Sequence, residues 1–523
     1  MIQDFYFHFG LYTGFEFHKF YNFRRDMSEF TLYRLCLWKT AFLLKNSYWN
    51  ETHDNNTGGN PFSALPSSVV EDLITCVLEL TTSCCLKVTD LYHLLTSGRV
   101  KHFKLEDVLL HTEEFIAILM SLSVACQNLC SLTLKDVYCS DAQPGSGALR
   151  KSAALECVLS ISPRLESIES CIEFDLKAIR NCEQLKVLKL NFVPKCRLYD
   201  FLEEVNGYFW PNTSLTVLDV YEDVRHPVSY LEIAVILKNC HELIKINNDV
   251  GASLEYLHSA ELNDDAISTR YKLEKCYLGS TFLAPPFASS SITAVRIATE
   301  TCPLLKEVDV LVSDHEVIYA LSDFQNLKSI LLQWEPTDGG DFQLGVQMLL
   351  EKIGANLKIL NILNFYNVDF AAIASFCPEL EDLKIEYQTE VCYYDPPSTC
   401  FQHLKSLYIE NTDGQFCCRE NTLIFLLSNC TNLSMLHLEY AENLTDNVLH
   451  KILDKNSLST VKEATILKCR LSAEGVRNLI LHLKMLEYFH FGSSQITFEE
   501  AASVVHEINP NVIMRSHIDY EGA

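Results

Sequence analysis

The sequence has no long hydrophobic run and comparatively little basic charge. No apolar stretch among its 523 residues reaches 18, about the length that a transmembrane helix needs. Lysine and arginine together number 42 against 68 aspartates and glutamates, which gives a formal net charge of -26. A surface that binds nucleic acid or an anionic membrane needs a clustered basic face. We therefore expect neither nucleic acid nor membrane as a partner.

The short motifs of common catalytic sites are also absent. The sequence contains no phosphate loop, no G-x-S-x-G and no H-E-x-x-H. Its 17 histidines are scattered along the chain, and we expect His437 and His490 to be ordinary surface residues and not general bases. We predict a protein that is not an enzyme and has no catalytic residue and no cofactor.

The cysteine pattern indicates packing and not metal binding. Because the N-terminus lacks the basic start and clean apolar core of a secretory signal, we expect the 21 cysteines to lie in a reducing compartment, the cytoplasm, the nucleus or both. No two have the C-x-x-C spacing typical of zinc ligands. Six lie three residues before a recurring leucine and should pack as small apolar groups: Cys126, Cys182, Cys240, Cys302, Cys377 and Cys430.

A leucine ladder, L-x-x-L-x-L, is the dominant positive feature. It returns roughly every 20 to 36 residues from about residue 100 onward, the signature of a leucine-rich-repeat solenoid. About fifteen units are expected, and their leading residues are Val100, Leu129, Leu165, Leu185, Leu215, Leu243, Leu273, Leu305, Leu327, Leu357, Leu380, Leu404, Leu433, Val461 and Leu486. The ladder that starts at Leu243 reaches Asn248 where an apolar residue is expected.

Segments between the ladder copies, such as 422–430 and 473–483, have apolar residues three and four apart, as in a helix with one buried face. A strand–helix unit cannot bury its apolar face alone, so neighbouring units must stack. We predict an α/β leucine-rich-repeat solenoid over residues 99–510, with parallel strands on the concave face and helices outside, followed by a C-terminal tail at 511–523. The cysteine-containing junctions resemble a class of these repeats that is common in substrate receptors of ubiquitin ligases.

Residues that alternate with the ladder should face the concave side. They form a mixed acidic and aromatic row that includes Glu386, Glu410 and Glu439. The row either binds a protein substrate or merely solvates the sheet. Candidate substrate-binding residues are Tyr221, Asp382, Lys384, Tyr408, Met435, His437 and Tyr488.

Residues 27–98 precede the ladder and contain a helical motif. Leu32, Cys36 and Thr40 are spaced four apart and so share one face of a helix. The stretch resembles the BC box, the helix by which ubiquitin-ligase receptors dock on Elongin C. The resemblance implies that Leu32 fills an apolar pocket of the adaptor while the small thiol of Cys36 permits close approach. Thr40 stands where the family has an aliphatic or small apolar residue.

A second motif follows, with Leu65 and Pro66 before Val69 and Leu73. It resembles the cullin-2 box that follows a BC box in receptors of the von Hippel-Lindau type. Proline favours the first helical turn, and Val69 and Leu73 should share a face. The order of the two boxes and the repeats resembles the Zyg-type leucine-rich-repeat receptors of cullin-2/Elongin BC ligases. Those receptors continue into an armadillo-like region that captures the degron, and we expect no such region after this ladder.

We therefore expect the substrate-recognition subunit of a cullin-RING ubiquitin ligase, with Elongin C, cullin-2 and a protein substrate as partners. Two alternatives stay open. The stretch from Leu65 to Leu80 also fits a degenerate F-box that docks on Skp, and the helices before the ladder also fit a plain N-terminal cap of a scaffold unconnected with ligases. Residues 1–26 are expected to be an uncertain or non-native extension, because Met27 directly precedes the first box.

Overall fold

The computed structural model describes residues 31–46, 60–81, 86–140, 146–205, 208–209, 214–221, 228–259, 269–279, 289–335, 339–387, 400–411 and 418–515. The predicted extension at 1–26 lies outside these residues. The chain divides into two compact units, Met1–Cys196 and Arg197–Ala523, and the boundary falls inside the predicted solenoid. A search of the described helices finds none that combines the length and apolarity of a membrane span.

The first described elements of the first unit are three α-helices, which lie within the predicted helical segment. Thr31 caps the first helix, since its Oγ1 accepts a hydrogen bond from the Arg34 N–H at 3.3 Å. Pro66 begins the second one, because its carbonyl accepts from the backbone N–H groups of Val69 and Val70. The helices are α1 (Leu32–Lys45), α2 (Ser67–Glu79) and α3 (Val88–Leu95), with a short 3-10 helix at Pro61–Ala64.

Four parallel strands follow in the first unit, each paired with the next in chain order. The side chains of β3 and β4 alternate between buried and accessible, and those of β1 and β2 do so on either side of Asp107 and Asp136, as expected for a sheet with one packed face. The elements are β1 (His102–His111), α4 (Thr112–Ser123), β2 (Ser131–Ser140), α5 (Ser146–Ser160), β3 (Ser167–Ser170) and β4 (Val187–Leu190).

The second unit has the same plan over a longer stretch. It contains β5 (Glu204–Val205), β6 (Tyr208–Phe209), β7 (Val217–Val220), α6 (Tyr230–Asn239), β8 (Lys245–Asp249), α7 (Gly251–His258), β9 (Lys275–Leu278), α8 (Ile292–Thr301), β10 (Glu307–Val312), α9 (His315–Ala320), β11 (Ser329–Trp334), β12 (Gly340–Asp341), α10 (Val346–Ile353), β13 (Ile359–Tyr366), α11 (Phe370–Phe376), β14 (Asp382–Tyr387), β15 (Ser406–Asn411), α12 (Glu420–Asn429), β16 (Met435–Leu438), α13 (Asp446–Leu453), β17 (Glu463–Cys469), α14 (Ala473–His482), β18 (Tyr488–Ser493), α15 (Phe498–Ile508) and β19 (Ile513–Arg515). Additional 3-10 helices in the two units are Cys126–Asn128, Leu176–Ile179, Leu198–Phe201, Leu321–Asp323 and Gly354–Asn356.

Strands β7 to β11 and β13 to β19 pair in parallel, each with the next repeat strand along the chain. The short β12 lies beside β13, and β5 and β6 form a separate antiparallel hairpin. The last strand, β19, lies beyond residue 510, in the stretch assigned from the sequence to a C-terminal tail, and it pairs with β18. Parallel repeat strands alternating with helices confirm the leucine-rich-repeat fold.

The ladder residues form the core. Every leading residue named from the sequence is buried and precedes a strand. In the irregular repeat that begins at Leu243, Asn248 occupies the third ladder position and is fully buried like the apolar residues of the other repeats. Its Nδ2 donates to the Val220 carbonyl at 3.1 Å. A buried amide needs such a partner. The six junction cysteines are also buried, and burial raises the pKa of Cys182, Cys240, Cys302 and Cys377 to about 12.

Several repeat strands contain, or are closely followed by, a left-handed residue that the sequence analysis did not predict. Asn364, with φ of 61°, donates from Nδ2 to the carbonyls of Trp334 at 3.3 Å and Glu335 at 2.8 Å. Aspartate and asparagine adopt this conformation more readily than other non-glycine residues. Among the described residues it occurs inside a strand at Asp107, Asp136, Asn364 and Lys468, and two residues after the end of β16 at Tyr440.

Asp107 has a φ of 52°, and from this conformation we predict how substitutions at this position change the free energy of unfolding. Asp107→Gly should be more stable than Asp107→Ala by about 1 kcal/mol, because a Cβ is disfavoured at positive φ. Urea unfolding of the two variants checks this order. The control variants are Lys135→Gly and Lys135→Ala. Lys135 is exposed in β2 and is not among the residues with positive φ. There alanine should be the more stable, and the same order at both positions would contradict the prediction.

Candidate protein-interaction surfaces

Helix α1 has two apolar faces, and only one of them is packed. The buried face consists of Leu37, Ala41 and Leu44, spaced four and three apart. On the other side, Leu32 is 78% exposed and Leu35 is 50% exposed. Cys36 is exposed beside them, and Thr40 is half-buried, with its Oγ1 donating to the Cys36 carbonyl at 2.9 Å. The BC-box residues Leu32 and Cys36 are thus on the accessible face, and Thr40 lies at its margin.

Leu35 is the residue of this face that the sequence analysis missed. It lies three positions after Leu32, which is neighbour spacing on a helix. The motif pattern leaves this position unspecified, so only helical spacing would have indicated it. We call Leu32, Leu35 and Cys36 the α1 apolar face.

The α1 apolar face is held in place by contacts between α1 and α2. The Tyr33 hydroxyl donates to Asp72 Oδ2 at 2.7 Å, and this bond is the largest cause that raises the pKa of Tyr33, to about 12. At the other end of α1, the Lys45 ammonium donates to the Leu80 carbonyl. The two helices therefore form one rigid support, with the α1 apolar face left outside.

The second motif is placed differently. Pro66 is exposed, while Leu65 and Val69 are half-buried. Leu73 is only 2% exposed and packs in the core of the helices with Val70 and Val77. The prediction that Leu73 contacts a partner directly is therefore wrong: the helix turns it inward, where it stabilises the segment. The outward positions of α2 are polar, and they are Ser68, Asp72, Thr75 and Glu79.

The same helices are attached to the first repeat. Glu71 Oε1 on α2 accepts the backbone N–H groups of Lys101 and His102 at 2.8 and 2.9 Å. The Ser63 hydroxyl donates to the Ser97 carbonyl at 2.8 Å. Glu71 satisfies two backbone donors at the start of β1, and Ser63 satisfies a backbone acceptor between α3 and β1. The segment therefore also acts as the cap that a repeat array requires.

The second candidate surface is on β14 to β18. Residues that alternate with the buried ladder make up what we call the open face. The strand register aligns Lys384 with Tyr408 and His437, and aligns Asp382 with Ser406 and Met435. Tyr488 extends the second of these rows through Glu463. Tyr221, which is 53% exposed, follows β7 and belongs to neither row.

Three of the predicted residues form a stack. The Lys384 Nζ lies 4.6 Å from the centroid of the Tyr408 ring. Tyr408 and His437 are parallel, with ring centroids 4.0 Å apart and an interplanar angle of 14°. Glu386 and Glu410 are the next residues of the same face along β14 and β15. Lys384 Nζ forms an ion pair with Glu386 Oε1 at 2.8 Å, and the Tyr408 hydroxyl donates to Glu410 Oε2 at 2.8 Å. We call Lys384, Tyr408 and His437 the open-face stack.

The stack lies in a partly desolvated environment. Burial, with the Lys384 and His490 charges, lowers the pKa of His437 to about 4. The Glu439 carboxylate, 4.0 Å away, favours the charged imidazole but is at the limit of an ion pair. Burial also raises the pKa of Glu410, and the neighbouring Glu439 and Glu386 carboxylates add to this shift. His437 is therefore neutral at physiological pH.

Comparisons with known proteins give little guidance to function. Neither the protein-family models nor the curated sequences contain a match. One similar solved structure is an internalin, InlF, from Listeria monocytogenes, at 13% identity and a TM-score of 0.32, covering 82% of this chain and 88% of that one. Another is a chain of the yeast Rad7–Elc1 complex, at 13% identity and a TM-score of 0.26, covering 55% and 85%. At these TM-scores neither similarity carries an argument.

The lowered pKa of His437 predicts a pH dependence of stability. Between an ordinary value of 6.5 and the folded value of about 4, the unfolded chain binds more protons than the folded one. The free energy of unfolding therefore decreases as the pH falls through this window. His437→Phe keeps a ring for stacking and removes the titrating group. Urea unfolding at neutral pH and at about pH 4.5 should show a smaller loss in this variant, and equal losses would contradict the assignment.

Proposed function

We propose that this protein is the substrate-recognition subunit of a cullin-RING ubiquitin ligase. Helix α1 docks on Elongin C, the segment around Pro66 contacts cullin-2, and the repeats hold a protein substrate. The protein supplies no catalytic residue in this role. Its contribution is to bring the substrate close to the conjugating enzyme, which raises the effective concentration of the reacting groups. The proposed site of action is the cytoplasm, the nucleus or both.

The α1 apolar face is the single observation that carries the proposal. A helix at the edge of a repeat array needs only one apolar face to act as a cap, and α1 meets that need with Leu37, Ala41 and Leu44. Leu32, Leu35 and Cys36 form a further accessible stripe. Apolar side chains at spacings of three and four are the anchors of helix-in-groove recognition. Their match to the BC-box pattern favours Elongin C as the partner with the groove.

The proposed cullin-2 contact is narrower than the sequence motif. Pro66 is exposed and Leu65 and Val69 are half-buried, so these three residues supply it. Leu73 acts indirectly, because it holds α2 against the other helices. This arrangement leaves the two proposed contacts on neighbouring helices of one support.

The test replaces the two BC-box residues together, as Leu32→Gln/Cys36→Gln. Glutamine keeps helix propensity and removes the apolar anchors. Loss of one such anchor costs about 2 kcal/mol or more, so the Kd for purified Elongin B/C should rise at least about 30-fold. Isothermal titration of the full-length chain with Elongin B/C measures it.

The matched control is Leu149→Gln/Cys157→Gln on α5. Leu149 is 79% exposed and Cys157 is exposed, so the same changes are made on another accessible helix. This control should bind Elongin B/C as the unaltered chain does, and circular dichroism should give both variants the unaltered thermal midpoint. Undiminished binding by Leu32→Gln/Cys36→Gln would remove the BC-box assignment.

Affinity capture of the unaltered chain from cells, followed by mass spectrometry, decides among the alternatives. Elongin C and cullin-2 among the captured proteins would support the proposal. Skp in their place would favour the F-box interpretation. Capture of neither adaptor would favour a scaffold unconnected with ubiquitin ligases.

A further inference from the structure

The open face of β14 to β17 carries carboxylates with few cationic neighbours. Among its described residues one lysine, Lys384, accompanies five acidic side chains, which are Asp382, Glu386, Glu410, Glu439 and Glu463. Lys384 is itself committed to Glu386 and to the Tyr408 ring. In the described part of the chain, no lysine or arginine forms an ion pair with Glu410 or Glu439.

Other lysines near these strands lie close to the strand ends, outside the open-face rows. Lys358 and Lys405 lie one position before the open-face rows. Their Nζ atoms form ion pairs with the two carboxylate oxygens of Glu381, at 2.5 and 2.6 Å. Together they lower the pKa of Glu381 to about 2. Lys462 is exposed at the start of β17. At the other end of the strands, the Lys468 Nζ lies 3.3 Å from the centroid of the Tyr440 ring.

The strand register aligns three glutamates. Glu386 is paired with Glu410, and Glu439 follows Leu438, the partner of Ile409. Because neighbouring strands lie about 4.8 Å apart, the three backbone positions span roughly 10 Å. Like charges at this spacing repel one another at an interface of intermediate polarity. A cationic ligand would relieve that repulsion.

The open face also carries aromatic, imidazole and thioether side chains, which are further components of a binding surface. The open-face stack is already ordered, so a ligand that contacts it loses little side-chain entropy. Within the stack, His437 Nε2 is buried and has no hydrogen-bond partner among the residues that the structure describes. Met435 lies two residues before His437 on the same strand and is 49% exposed. Methionine and aromatic residues are enriched where proteins bind other proteins.

We propose that the open face of β14 to β17 binds an extended, arginine-containing segment of the substrate protein. This inference rests on the proposed function, for which it names the substrate chemistry. Arginine suits the face better than lysine, because its planar guanidinium forms bidentate pairs with carboxylates and is weakly hydrated. One guanidinium pairs with Glu410 and Glu439, and apolar side chains of the segment contact Met435.

The geometry also limits the spacing of the basic residues. Side chains two apart on one face of an extended segment are separated by about 7 Å. A segment that crosses the strands can therefore place one arginine between Glu410 and Glu439 and a second one over Glu386. The recognised sequence has two arginines separated by one residue.

Fluorescence anisotropy with the full-length chain tests this inference. The probe is a fluorescein-labelled peptide of glycine and serine with a central Arg-Leu-Arg, and its reference has citrulline at both arginine positions. Citrulline keeps the shape and removes the charge. The arginine peptide should bind at least about 10-fold more tightly, and added salt should weaken it more than the reference.

The variant Glu410→Gln/Glu439→Gln should weaken binding of the arginine peptide about 10-fold, a change typical of losing close charge pairs. The control is Glu379→Gln/Glu499→Gln, which removes the same charge from exposed positions away from the face and should change Kd less than about twofold. Equal binding of the two peptides, no binding of either, or equal effects of both variants would overturn the inference. Because Elongin B/C is absent from this measurement, its outcome is independent of the adaptor test.

Discussion

Burial of the ladder side chains between stacked units is the constraint on which the rest of the structure depends. The ladder strands contribute apolar residues that are fully or almost fully buried, such as Leu383 and Ile385 in β14 or Leu407 and Ile409 in β15. Burying one such side chain contributes roughly 1.5 to 3 kcal/mol, and no unit can do so alone. Stacking fixes the parallel register, and the register then fixes which alternate residues share the open face.

The first unit shows how an array of this kind is both capped and given a further surface. Glu71 binds the backbone at the start of β1, and the packed faces of α1 and α2 close the segment with Leu44 and Leu73. The accessible α1 apolar face is not needed for that task. It is the reason to regard the N-terminal helices as an adaptor-binding element, and this role remains a proposal.

The sequence was a better guide to the buried residues than to the accessible ones. Every leading ladder residue that leucine spacing predicted is buried before a strand, including those of irregular repeats such as Leu243 and Val461. It did not predict the left-handed residues within strands, such as Asp107, because local backbone geometry leaves only a weak composition signal. It also assigned Leu73 to a partner surface, since spacing along a helix does not say which face the neighbouring helices will cover.

The sequence by itself determined the repeat, the type of fold and the alternation of residues along each strand, because hydrophobic periodicity is local and is set by chain geometry. Tertiary structure decided which residues meet. Lys384, Tyr408 and His437 come from three units, and only the strand register places them in one stack. Likewise, Leu32 and Leu37 are similar apolar residues on one helix, and packing alone leaves the first exposed and the second buried.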